Sequence, residues 1–286
     1  MPQKLKIAVQ KSGRLTEESL KLLKECGISI ENGGDQLKAA ARNFPVEILY
    51  LRNSDIPQYV EDGVADIAIL GENVVIEKRK NIKVVERIGF SKCRLSMAVP
   101  KAVNYEGPAF FSKKKIATSY PNSLSDFLRA NNIEAEIHEI SGSVEIAPNI
   151  GLADAICDLV STGSTLFSNG LKEVEVILKS EACLVSGKNL APEIQDILDN
   201  LLFRIRAVLA SRNNRYILLN APNERIPDII AVLPGMKSPT IMPLSEEGWS
   251  SIHSVIGETD FWAIIDQLKA CGAQGILVMP IEKMVI

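Results

Sequence analysis

The chain has 286 residues, 46% hydrophobic and 23% charged, which is enough for one large core or two to three smaller ones. A formal net charge of −3 excludes a strongly electrostatic nucleic-acid binder, and no apolar run reaches the length of a membrane span. Five scattered cysteines without a CxxC pair argue against a disulfide framework. They fit the reducing cytoplasm, where a chain that opens on a strand-like segment and not on a signal-peptide core is expected.

The first half alternates short apolar runs with helical patterns. Residues 5–9 read as a strand. Thr16 is placed to cap a helix over 17–26, Glu17 and Glu18 favour its dipole, and Gly27 stops it. A second strand covers 46–51, Asp55-Ile-Pro57 opens a short helix ending at Gly63, and a third strand covers 67–70. This rhythm predicts a parallel sheet with ligands at the carboxyl ends of its strands. Candidate ligand loops there are 10–14, 52–55 and 71–73.

A second unit is predicted from Arg94, with strands at 95–99, 115–118 and 134–140. Ser123 is read as the cap of a helix running to Asn131, and Ser143 as the cap of one over 144–149. An apolar strand at 155–160 then enters a loop of hydroxyls, Ser161, Thr162, Ser164 and Thr165, around Gly163. Such a loop can donate to an anion, and Asp154 and Asp158 upstream can accept from sugar hydroxyls or hold a phosphate-bridging metal. Short strands at 174–179 and 182–186 lead the chain back to the first unit. The expected catalytic part is therefore two α/β lobes, 1–93 with 180–212 and 94–179.

Pro192 starts the strongest helix, with apolar positions at helical spacing to about Ser211. The last segment, 213–286, reads βαββαβ, a ferredoxin-like domain without a cluster of catalytic groups. The chain has no P-loop or GxGxxG after a strand, and its two histidines are too few for a catalytic triple-histidine zinc site. Positive charge falls in predicted loops instead: Lys11 and Arg14 after the first strand, flanking the Ser12 hydroxyl and the Gly13 amide, Arg52 at the end of the second, and Arg94. Together they suit a polyphosphate.

These residues resemble the ATP phosphoribosyltransferase family in its long form. The resemblance runs through AVQKSGRL (8–15), DIP (55–57), GENV (71–74), CRLS (93–96), IATSYP (116–121) and GSVEIAP (142–148). It continues through 154–166, PTI (239–241) and PIEK (280–283). Asn53 and Ser54 depart from it, standing where a more acidic run is expected. The resemblance implies a periplasmic-binding-protein-like catalytic unit with an ACT-like domain. It also implies Mg²⁺-dependent transfer of phosphoribose from phosphoribosyl pyrophosphate to N1 of ATP, releasing pyrophosphate.

On the same basis the loop Ser161–Thr165 holds the 5-phosphate, and Asp154 and Asp158 hold ribose hydroxyls or metal-bound substrate. Lys11, Ser12, Gly13, Arg14, Arg52 and Arg94 line the pyrophosphate and ATP side, Arg14 in a catalytic part. Gly71, Glu72, Tyr120 and Glu145 follow from matching motifs. Asn220, Met236, Ser238, Thr240 and Gly275 match positions that contact histidine as feedback inhibitor, and dimers and hexamers are implied. The competing reading is a two-lobed small-ligand-binding or regulatory protein without catalysis, since the architecture is shared.

Overall fold

The computed structural model describes residues 3–31, 37–233, 235 and 238–285. They fall into two compact units, Met1–Lys24 with Ile28–Leu198, and Glu25–Gly27 with Asp199–Ile286.

The first unit contains two sheets. Strand β1 (Leu5–Gln10), α1 (Arg14–Glu25), β2 (Lys38–Ala40), β3 (Val46–Leu51), α2 (Ile56–Glu61), β4 (Ile67–Gly71), α3 (Glu72–Lys78) and β5 (Ile82–Arg87) begin lobe I. Lobe II follows with β6 (Cys93–Pro100), β7 (Lys115–Thr118), α4 (Pro121–Ala130), β8 (Glu136–Glu139), β9 (Ala155–Val160), α5 (Ser164–Ser168) and β10 (Leu171–Ser180). Strand β11 (Ala182–Gly187) returns to lobe I, and α6 (Pro192–Arg212) follows it. The sheet orders are β2-β3-β1-β4-β11-β5 and β10-β6-β9-β7-β8. Strand β1 pairs in parallel with β3 and β4, and β9 pairs in parallel with β7. Ile7, Ile48, Ile67 and Ile69 are wholly buried, as expected where helices cover both faces of parallel strands.

Two connections join the lobes and run side by side. The Ile88 amide donates to the Ala182 carbonyl at 3.0 Å, and the Ala182 amide donates to Phe90 at 2.9 Å. Two α/β lobes on paired crossovers form the periplasmic-binding-protein-like arrangement expected from the sequence.

Helix starts differ from the sequence reading. Helix α1 begins at Arg14 because the Gly13 carbonyl accepts the Thr16 and Glu17 amides. Thr16 is thus inside the first turn, its hydroxyl donating to Gln10 O at 2.7 Å. Helix α4 begins at Pro121, which leaves Ser123 two residues inside it. The segment after Ser143 makes one 3₁₀ turn, Val144–Ile146, with Ser143 itself left-handed.

The second unit carries β12 (Asn214–Pro222), α7 (Ile226–Val232), β13 (Thr240–Pro243), β14 (Trp249–Gly257), α8 (Glu258–Ala270) and β15 (Gln274–Pro280). The antiparallel order β13-β14-β12-β15 is the ferredoxin-like βαββαβ arrangement. Ile217, Leu219, Ile229, Ile252 and Leu268 form its core beneath the helices.

Candidate active site

Parallel pairing sets the site. Strands β3, β1 and β4 end together, bringing the loops with Lys11, Arg52 and Gly71 to one edge of lobe I. Strand β7 ends with Thr118 opposite Cys157, three residues before β9 ends at Val160, so Tyr120 follows at the loop end of β9. The two edges meet where Asn73 Nδ2, just past β4, donates to Tyr120 Oη at 3.1 Å.

The hydroxyl loop lines a pocket of about 320 Å³, together with Cys93 and Glu145. Gly163 is left-handed at φ 82°, a conformation that lets the chain turn from β9 into α5 without a Cβ clash. Thr162 Oγ1 lies 3.0 Å from Ser164 Oγ, so the hydroxyls are already gathered. Arg94, opposite Val160 across β6 and β9, donates to the Ser161 carbonyl at 3.1 Å. Its guanidinium also clamps both oxygens of Glu173, which accepts the Ser96 hydroxyl at 2.7 Å. Arg94 therefore braces the loop from behind. The sequence reading had it facing the polyphosphate.

Asp158 and Asp154 separate. Asp158 lies near the loop end of β9, half-buried, with Oδ1 accepting the Leu159 amide at 2.8 Å. Burial raises its pKa to about 6; the Leu159 hydrogen bond opposes this and the Glu145 charge adds to it. Asp154 precedes the opposite end of the strand, about 13 Å away at ~3.3 Å per residue. There its Oδ2 accepts the Lys115 amide at 2.9 Å, so it ties down the start of β7 and does not join Asp158 at the loop.

The remaining predicted residues divide by their partners. Lys11, Ser12, Gly13 and Arg52 are exposed on the lobe I edge. Arg14 is 75% exposed and pairs with Glu18 one turn on. Glu72 is engaged by Arg87 on β5 through both carboxylate oxygens, which takes it out of the free acids of the site. Gly71 is dictated by contact: a Cβ there would stand 2.3 Å from Asn73 Oδ1.

Sequence reasoning missed two buried residues on α3. Glu77 accepts the Asn122 and Ser123 amides at 2.9 Å each and the Ser123 hydroxyl at 2.7 Å, capping α4 across the lobes. Asn73 is held by Ser180, next to the crossover. The GENV motif contained Asn73; nothing near Glu77 in the sequence signals its role.

A family model described as ATP phosphoribosyltransferase matches residues 52–207, and one described as HisG, C-terminal domain matches 211–283. The chain belongs to the ATP phosphoribosyltransferase family. An ATP phosphoribosyltransferase of Cytophaga hutchinsonii is 61% identical, over 98% of this chain and 98% of that protein. One of Phocaeicola vulgatus is 57% identical over 99% of this chain and 100% of that protein. Among solved structures, the ATP phosphoribosyl transferase (HisG:HisZ) complex from Thermotoga maritima aligns at TM-score 0.63 and 28% identity. It covers 72% of this chain and 98% of that one.

The family's C-terminal domain is the second unit here. Asn220 is half-buried on β12, opposite Gln274 and beside Gly275, whose φ is 56°. Ser238 and Thr240 are exposed, and Met236 lies outside the described residues. The His253 ring is held between Tyr216 Oη at 2.8 Å and Ser251 Oγ at 3.1 Å. No helix among the described residues is long and apolar enough to cross a membrane.

No group of three or more His, Cys, Asp or Glu able to hold a metal occurs among the described residues. Asp158 with Glu145 fits a Mg²⁺ that arrives on a diphosphate and needs one or two carboxylates. Asp154, tied to Lys115, does not.

Proposed function

We propose that this chain transfers the phosphoribosyl group of phosphoribosyl pyrophosphate to N1 of ATP, releasing pyrophosphate, and that histidine restrains it through the C-terminal unit. The observation that carries the site assignment is the 320 Å³ pocket, which the gathered hydroxyls of 161–165 line together with Glu145 and the last two residues of β9, directly after Asp158.

The 5-phosphate takes the Ser161, Thr162, Ser164 and Thr165 hydroxyls and the loop amides. Asp158 accepts from the ribose hydroxyls, its negative charge near a carbon that becomes oxocarbenium-like as pyrophosphate departs. Lys11 and Arg52, exposed on the opposing edge, take the leaving pyrophosphate and the ATP phosphates. Mg²⁺ bound with the donor supplies charge neutralisation on the leaving group. Adenine N1 has a free lone pair, so no base is required, consistent with a site without histidine. Catalysis rests on alignment of two substrates held by two lobes.

Asn220, Thr240 and Gly275 are the histidine contacts of this reading, with Ser238 and Met236 beside them in sequence. Dimers and hexamers of a cytoplasmic enzyme complete it. Pyrophosphate release from ATP plus phosphoribosyl pyrophosphate, with and without histidine, is the test. Release that falls with histidine supports the reading; no release at any donor concentration removes it.

A further inference from the structure

The contact between the lobes has a direction. Ser180 Oγ accepts the Asn73 backbone amide at 3.0 Å, and its hydroxyl donates to Asn73 Oδ1 at 2.9 Å. Both residues are buried, Asn73 at 4% and Ser180 at 6% exposure. With Oδ1 assigned to Ser180, Nδ2 faces Tyr120 and can only donate, at 3.1 Å. Flipping the amide leaves the Ser180 proton to the sulfur of Cys93, its cross-strand neighbour and a far weaker acceptor. Gly71 adds a steric lock, because any side chain there would occupy the place of Oδ1.

Tyr120 Oη is therefore an acceptor toward Asn73, and its own proton is left over. No other group among the described residues partners that oxygen. The ring packs on the lobe II core while the residue stays half-buried at the carboxyl end of β7, next to the end of β9.

We propose that Ser180 and Asn73 are positioning residues that fix the polarity of Tyr120, making its hydroxyl a preset donor to an oxygen of the phosphorylated sugar. The chain Ser180→Asn73→Tyr120→ligand begins beside the crossover and passes through lobe I before reaching lobe II, so donor binding and lobe alignment share one set of hydrogen bonds. Burial first, and the Asp158 charge after it, hold the phenol proton on and favour the same protonated form. This inference rests on the sugar donor occupying the hydroxyl-loop pocket.

The test measures the Kd of phosphoribosyl pyrophosphate by calorimetry on the full chain. Tyr120→Phe removes the donated proton and weakens binding about tenfold, the upper worth of one hydrogen bond to a neutral sugar oxygen. Asn73→Asp places an acceptor where Nδ2 stood and draws that proton away, so it weakens binding equally, and the double variant is no worse than either. Ser180→Ala, which loosens the amide without adding charge, weakens binding about threefold alone and not at all in the Tyr120→Phe background. Melting curves on the same samples separate unfolded variants from these effects. Additive losses, or affinity within twofold of wild type for both Asn73→Asp and Ser180→Ala, overturn the relay. Thr165→Ala is the control on the pocket: if it leaves Kd unchanged, the pocket assignment falls and takes the relay with it.

Discussion

The Glu77 carboxylate on α3 caps α4 at Ser123, 46 residues away in the sequence and in the helix's first turn, by accepting both its amide and its hydroxyl. Asn122 adds its amide to the other carboxylate oxygen and its side chain to the Glu77 carbonyl. A free helix N-terminus in lobe II is thus satisfied by lobe I. Arg79, just past α3, pairs with Asp126 on α4 at 2.7 Å, and Asn73 in the first turn of α3 donates to Tyr120, the residue before α4.

Glu77→Ala leaves these donors without partners in a buried place. The expected loss is about 2–4 kcal/mol. For a unit of this size that is a fall in Tm of roughly 5–12 °C. Glu77→Gln, which keeps one acceptor oxygen, should fall less. Thermal melts of the two variants decide it; an unchanged Tm in Glu77→Ala removes the cap from the account.

Asp158 links stability to pH. Burial raises its pKa from 3.8 to about 6, so the folded chain holds this proton more tightly than the unfolded chain. The resulting stabilisation is complete below pH 3.8 and is lost as pH rises through about 6, where a half-buried carboxylate must carry its charge. Asp158→Asn should therefore be more stable than wild type at pH 7.5, by about 1–2 kcal/mol after solvent screening, with the gain vanishing near pH 4. Its turnover should fall at least about 100-fold. Melts across pH beside steady-state rates separate the two effects. For the parent chain, kcat/KM should decline below about pH 6.

Arg94→Lys tests the brace behind the loop. A lysine cannot span Glu173 and the Ser161 carbonyl as the guanidinium fork does. The expected result is a KM for the sugar donor raised about tenfold, with kcat held within about threefold. Initial rates at varied donor concentration check this. A fall confined to kcat points instead to Arg94 acting directly on the leaving group.

Asn220→Ala addresses the C-terminal unit. Removing an amide beside the left-handed Gly275 should raise the half-inhibitory histidine concentration about tenfold. Turnover without histidine should stay as it was. Dose-response curves for histidine provide the reading, and unaltered inhibition excludes Asn220.

Much of this architecture can be read from the residues. Strands β7 and β9 coincide with their apolar runs because each is a short buried segment bounded by polar turns. The βαββαβ tail also follows from alternation and turn residues. Helix α3 escapes such a reading: its seven residues hold a contiguous Val74-Val75-Ile76 run with no helical period. Thr16 satisfies the local rule for a cap, yet the Gly13 carbonyl starts the helix earlier. Asp154 and Asp158 share a face by the two-residue period of a strand, while the rise along β9 sets them at its opposite ends, a separation that sequence spacing alone does not display. Glu77, Ser180 and Glu173 act on residues dozens of positions away, and only the folded chain brings them together.

The most direct measurement is a crystal structure of this chain with phosphoribosyl pyrophosphate bound. The expected result is the 5-phosphate on the Ser161–Thr165 hydroxyls, with the ribose within hydrogen-bonding reach of Asp158 and the Tyr120 hydroxyl. A donor found with its phosphate on the Lys11–Arg14 loop and its ribose away from Asp158 contradicts it.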